Sequence, residues 1–178
     1  MLSGSKKSHS QRLERTLKLV AIESTKVEDG WMAAETMNYE VKEACDAATM
    51  ARCFPVMRQL RTHFEDEQTF VEQVERQRAD GYRMAFLEDA NGIRAVAGFR
   101  MSESLFAGRF CYVDDLVTDG SGRSLGYGGA LFDWLVAEAR AEGCGKLELD
   151  SGVQRFAAHR FYLTKRMIIS SHHFSLEL

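Results

Sequence analysis

The stretch Arg123-Ser124-Leu125-Gly126-Tyr127-Gly128-Gly129 holds the residues whose types and spacing are best suited to chemistry. Glycines let the main chain turn without Cβ obstruction, so successive N–H groups can point at one spot. A helix that begins there adds the positive end of its dipole. Such a loop cradles a phosphate; the alternative is an ordinary loop with glycine at a helix start. Spacing decides against two phosphate-binding patterns. A P-loop needs Gly-Lys-Ser/Thr after its second glycine, whereas Gly128-Gly129-Ala130-Leu131 offers no lysine. A dinucleotide fingerprint begun at Gly126 would need its third glycine where Leu131 stands.

Three further clusters carry ionisable groups. Asp114 and Asp115 are adjacent carboxylates in a strand-like run, and strand alternation sends them to opposite faces, one of them toward a cleft. His63 precedes the acidic run Glu65-Asp66-Glu67, which can attract a cationic amine or simply form a solvated helix start. His172 and His173 lack a third ligand at metal-binding spacing and read as strand or surface residues, so no metal is expected. Cys45, Cys53, Cys111 and Cys144 show neither C-x-x-C pairing nor zinc-finger spacing, and read as buried, reduced thiols.

Elements must hold these groups in place. A short strand is expected over Tyr39 to Ala44, then a helix from about Ala48 to Thr62 that Pro55 should kink or divide. A second helix runs from about Glu67 to Ala79, capped by Asp66 and ended by Gly81. Tyr82 to Ala90 and Ile93 to Met101 alternate apolar and polar residues around Asn91-Gly92, the signature of a hairpin. A third strand, Arg109 to Thr118, continues the antiparallel meander into the glycine loop. A helix from about Gly128 to Glu142 and a strand over Lys146 to Asp150 then complete a parallel crossover. A last helix, about Arg155 to Lys165, and a strand near His173 to Leu178 close the chain.

The 178 residues suffice for one domain and an appendage. Hydrophobic residues at 45% and charged residues at 28% mark a folded globular chain. A net charge of -3 supplies no positive field for a nucleic-acid backbone, so nucleic acid is not an expected partner. Charged residues interrupt every apolar run long before the roughly 18 residues that span a bilayer, so no membrane partner is expected. Residues 1 to 30 carry six Lys or Arg against four Asp or Glu, unlike the acidic remainder. Leu17 to Ile22 is too short and too charged for a targeting peptide, and the chain is expected to be cytoplasmic. We therefore divide it into an N-terminal extension, residues 1–36, partly disordered or helical, and a domain, residues 37–178.

The loop pattern Arg/Gln-x-x-Gly-x-Gly/Ala, with Ala158-x-x-Phe161-Tyr162 downstream, resembles the GNAT superfamily of N-acetyltransferases. Element order resembles the family from about residue 38 to 178. The resemblance implies an α/β fold with a mixed, mostly antiparallel central sheet flanked by helices and one parallel β-α-β crossover carrying the glycine loop. It implies acetyl-CoA as cosubstrate, with its pantothenate arm against the backbone of Leu116, Val117 and Thr118. The pyrophosphate would lie on the amides of Arg123, Ser124, Leu125, Gly126, Tyr127, Gly128 and Gly129, with the Arg123 side chain at the loop's edge. Tyr162 matches the family's general acid; Tyr112-Val113-Asp114-Asp115 resembles polyamine acetyltransferases, in which an acid matching Asp114 takes the ammonium proton. Arg155, Arg166-Met167 and Gly120 stand where the family often has Asn, Gly-Phe and Pro.

The expected function is acetyl transfer from acetyl-CoA to the primary amine of a small molecule. Direct attack in a ternary complex is expected, because no Cys or Ser has a recognisable paired base. The alternatives are a protein or peptide N-acetyltransferase and an acyl-CoA-binding sensor without turnover. Dimers are frequent in the family, so a homodimer is a further expectation.

Overall fold

The computed structural model describes residues 38–178. The expected helical or disordered extension, residues 1–36, lies outside the described residues. The first strand, β1 (Tyr39–Glu43), is followed by helices α1 (Ala47–Met57) and α2 (Glu67–Ala79). Strands β2 (Tyr82–Asp89), β3 (Gly92–Ser104) and β4 (Gly108–Thr118) form the meander; α3 (Tyr127–Ala141), β5 (Lys146–Leu149) and α4 (Phe156–Thr164) complete the described elements. The sheet runs β1-β2-β3-β4-β5. Every neighbouring pair is antiparallel except β4 with β5, which is the parallel crossover around α3.

Local chemistry sets the element ends. Asp46 and Asp66 cap α1 and α2, each accepting the backbone N–H of the third residue onward, Thr49 and Thr69, at 2.8 Å. These bonds favour the ionised carboxylates and hold both below their ordinary range. The first helix is shorter than expected: it ends at Met57, two residues after Pro55, instead of reaching Thr62. Proline lacks the N–H for the bond one turn back, and the helix finishes within that turn. The hairpin forms one residue earlier than its turn signature, with Asp89 paired to Gly92 and Gly92 at φ +115°.

Alternation in the sheet separates two apolar layers. Met84, Phe86, Val96 and Val117 face α1 and α2 with Met50, Met57 and Phe70. Ala85, Ala97, Phe99, Cys111 and Val113 face α3 with Leu131 and Leu135. Cys53 and Cys111 are buried, as the sequence suggests, whereas Cys45 is exposed.

One expected strand does not form. Residues 168–178 contain no strand and make no backbone hydrogen bond among the described residues. Phe174, Leu176 and Leu178 alternate as a half-buried strand would, yet all three are exposed. Alternation records what a strand would bury; a strand also needs a ladder partner, and this segment lies on none. Among the described residues, no helix is long and apolar enough to cross a membrane.

Candidate active site

Strand β4 forks away from its parallel neighbour. It pairs with β3 along its length, from Ser104 opposite Gly108 to Ala95 opposite Thr118. With β5 it pairs only from Phe110 opposite Lys146 to Val113 opposite Leu149. From Asp114 to Thr118, Leu116 and Val117 included, its outer edge therefore faces no strand among the described residues.

The glycine loop closes the far end of this opening. Gln59 bridges it to α1, donating to Asp119 Oδ1 and accepting the Gly120 N–H, both at 2.8 Å. Ser124 and Gly126 adopt left-handed conformations, φ +65° and +88°. Gly126 occupies the N-cap of α3 and supplies no side-chain acceptor, unlike the Asp caps of α1 and α2. The first N–H groups of α3 thus have no side-chain cap among the described residues, and they lie at the positive end of its dipole. A Cβ on Gly128 would lie 2.5 Å from Thr118 Oγ1, so the helix start presses directly against the end of β4. The Tyr127 side chain turns inward, donating to Asp89 Oδ2 at 2.6 Å, and leaves only its backbone for the loop. Arg123, Ser124 and Leu125 are exposed.

The two carboxylates do not face opposite sides. Gly98 pairs with Asp115 and Phe99 with Val113, so Asp114 is the extra residue of a β-bulge. The bulge places Asp114 and Asp115 together on the face toward α1 and α2, where both line a cavity of about 300 Å3. Asp115 is buried and fully engaged: Arg61 Nε donates to Oδ1 at 2.6 Å and the Tyr82 hydroxyl to Oδ2 at 2.9 Å. Asp114 is half-buried, and Arg100 Nε donates to its Oδ2 at 3.0 Å. Burial raises the Asp114 pKa above its ordinary value of 3.8, against the opposing pull of Arg100.

Gly98 allows this arrangement, since a Cβ there would sit 1.8 Å from Tyr82 Oη and 2.7 Å from Asp115 Oδ2. Sequence reading missed Arg61, Tyr82, Gly98 and Arg100. A glycine inside an alternating strand was the available signal, because it marks a bulge or a close approach. His63 also lines the cavity, whereas Asp66 of the acidic run is used as a helix cap.

Tyr162 lies elsewhere, on α4, with its ring 6.5 Å from that of Phe132 of α3. Burial raises the Tyr162 pKa above 10.0, with Arg155 opposing, so the phenol keeps its proton at neutral pH. No hydrogen bond or shared cavity lining joins Tyr162 to Asp114 among the described residues. Lys165 fastens the end of α4 to α3, donating to the Gly129 carbonyl at 3.1 Å and to Asp133. Arg166, where the resembled family often has glycine, adopts φ +64°. Burial pushes the Cys53 and Cys111 thiols up to about 12, which leaves them poor nucleophiles.

Comparison with known proteins agrees with this layout. The acetyltransferase (GNAT) family model matches residues 48–167. An uncharacterized N-acetyltransferase, YhdJ of Bacillus subtilis (strain 168), is 35% identical over 126 residues, covering 70% of this chain and 88% of that protein. Among solved structures, a transcriptional regulator from Bacillus halodurans C-125 superposes with a TM-score of 0.70 at 16% identity, over 79% of this chain and 100% of that one. The glucosamine-6-phosphate N-acetyltransferase of Arabidopsis thaliana gives 0.64 at 20% identity, over 79% and 98%. These two structural likenesses concern the fold.

Proposed function

Because the chain belongs to the acetyltransferase (GNAT) family and is an acyltransferase, we propose that it moves an acetyl group from acetyl-CoA to the primary amine of a small molecule, by direct attack in a ternary complex. The observation that carries this reading is the fork of β4 beside an uncapped helix start: an open strand edge leads straight to an anion cradle. The fit is chemical as well as spatial. Main-chain groups of Leu116, Val117 and Thr118 suit the amides of a pantothenate arm, and the N–H groups from Arg123 to Gly129 suit a pyrophosphate. The Arg123 side chain can add charge at the rim. Acetyl-CoA, when bound, supplies an acetyl group activated as a thioester.

Asp114 stands at the fork, immediately after the last residue paired with β5. It takes the proton of the incoming ammonium, and its raised pKa makes it a stronger base than a solvated carboxylate. The amine nitrogen then bonds to the acetyl carbon as the carbon–sulfur bond breaks, and the second proton this nitrogen sheds passes through solvent to restore the Tyr162 phenol once it has donated. Tyr162 donates its phenolic proton to the departing sulfur, a role suited to a group that stays protonated at neutral pH. The small cavity beside Asp114 favours a small acceptor over a peptide.

Thiol release from acetyl-CoA with a panel of amines, amino acids and peptides tests the reading. Wild-type turnover that falls about 10- to 100-fold in Tyr162→Phe, with CoA affinity retained, supports it. Tight CoA binding without turnover on any acceptor supports a sensor instead. Gly126→Asp places a negative side chain at the helix start and should abolish CoA binding by calorimetry while the fold survives; unchanged affinity would refute the pyrophosphate placement.

Two copies are proposed to associate through the C-terminal region. Val153, Phe156, Leu163, Phe174, Leu176 and Leu178 are all exposed, and α4 has no buried residue. Covering side chains of this kind amounts to on the order of 800 Å2 per copy, the scale of a stable interface. Sedimentation of the full chain should show a dimer that deletion of residues 168–178 converts to monomer. A monomer at all concentrations would sink this.

A further inference from the structure

The cavity beside Asp114 has unequal capacities left over after its internal hydrogen bonds are counted. Both oxygens of Asp115 are engaged, one by Arg61 and one by Tyr82. One oxygen of Asp114, Oδ2, takes the Arg100 bond, and Oδ1 accepts none among the described residues. Arg61 uses Nε on Asp115 and Nη2 on the Asp114 carbonyl, the latter at 3.0 Å, and its Nη1 donates to none of the described residues. What remains toward a ligand is one carboxylate oxygen and one guanidinium edge, with the exposed His63 imidazole beside them.

Charge and size narrow the ligand further. Asp114 and Asp115 are balanced by Arg61 and Arg100, so the site carries no net charge to attract a polycation. A second positive charge on the ligand would enter without a partner, whereas a ligand bearing one charge of each sign satisfies both leftover groups. The volume of about 300 Å3, roughly ten waters at ~30 Å3 each, has room for a molecule the size of an amino acid. Arg61 Nη2 donates to Asp114's own carbonyl, so the guanidinium and the carboxylate that would meet the ligand lie in one neighbourhood of the cavity wall. Met57, Phe64, Phe70 and Val74 provide an apolar wall.

We propose that the acceptor is a small zwitterion with an apolar substituent, such as a free apolar amino acid: Asp114 Oδ1 receives its ammonium and Arg61 Nη1 its carboxylate. This rests on the acetyl-CoA reading above and assigns the substrate class of the same site. Arg61 is thereby a specificity residue, in addition to its hold on Asp115. Polyamines, which the Tyr112-Val113-Asp114-Asp115 stretch suggested by resemblance, are disfavoured by the balanced charge.

The test uses the full chain and matched pairs: leucine against 3-methylbutylamine, phenylalanine against phenethylamine, and spermidine. The zwitterion should exceed its decarboxylated partner in kcat/KM by about 30-fold, the scale of one hydrogen bond to a charged group. Arg61→Gln should lower kcat/KM for the zwitterion about 30-fold more than for the plain amine, chiefly by raising KM, whatever loss both share through Asp115, and Arg61→Lys should keep part of the margin. Preference for the plain amine or for spermidine overturns the proposal. So does an equal loss for both partners in Arg61→Gln, which would mean that Arg61 only supports Asp115. Calorimetry with CoA present reads binding without turnover, and no heat from either amino acid overturns the proposal on its own. Failure of the underlying reading looks different, because CoA itself would then fail to bind.

Discussion

Two halves of β4 behave as different materials. From Phe110 to Val113 the strand has neighbours on both edges, and Cys111 and Val113 are buried against α3. From Asp114 to Thr118 one edge is free, a bulge interrupts the ladder, and two carboxylates share a face with Arg61 and Tyr82. The first half obeys the rules of an interior strand paired on both edges. The second departs from three of them together: complete pairing, strict alternation and apolar filling. Each departure opens something for a ligand, whether an edge, a pair of acids or a polar cavity, and the regular half keeps them in position.

Four substitutions bear on that contrast. Asp114→Asn, in the irregular half, should lower kcat by about 10^2- to 10^4-fold with CoA affinity unchanged, as removal of a general base does. The wild-type rate should also fall as the pH drops through the Asp114 pKa, which burial lifts above 3.8, because only the carboxylate form accepts the proton. That acid limb should vanish in the variant; a limb that persists would move the base elsewhere. Gly98→Ala drives a methyl group into the Tyr82 hydroxyl and should destabilise the fold by about 2–3 kcal/mol in urea unfolding. Tyr82→Phe should not rescue it, since the ring carbon Cζ also lies only 2.4 Å from the added Cβ. Cys111→Ala, in the regular half, should cost about 1–2 kcal/mol of stability and leave kcat and KM in place. A catalytic defect there would break the division between the halves.

Much of this was legible in the sequence, and the rest was hidden for definable reasons. The turn pair Asn91-Gly92, the cap Asp66 and the glycines before α3 act through neighbours within a few residues, so local chemistry reveals them. The crossover of β4, α3 and β5 follows from element order and handedness. The bulge escaped because it is a mismatch in count between two strands, and neither strand shows it alone. Arg61 and Arg100 escaped because their partner acids are distant in sequence and meet them only through the sheet and the α1–α2 connection. At the C-terminus a strand was expected near His173 to Leu178; Phe174, Leu176 and Leu178 do alternate, but alternation could not supply the missing ladder. The cavity assigned to the acceptor is therefore a long-range product, whereas the anion loop is a local one.

The bulge at Asp114 also works as a parity switch. Before it, odd-numbered side chains point at α3; after it, Leu116 does, and the numbering of inside and outside has changed places. Deleting the single residue 114 would therefore restore a regular ribbon with one acid on its floor, and neither helical layer would have to move to accommodate the edit.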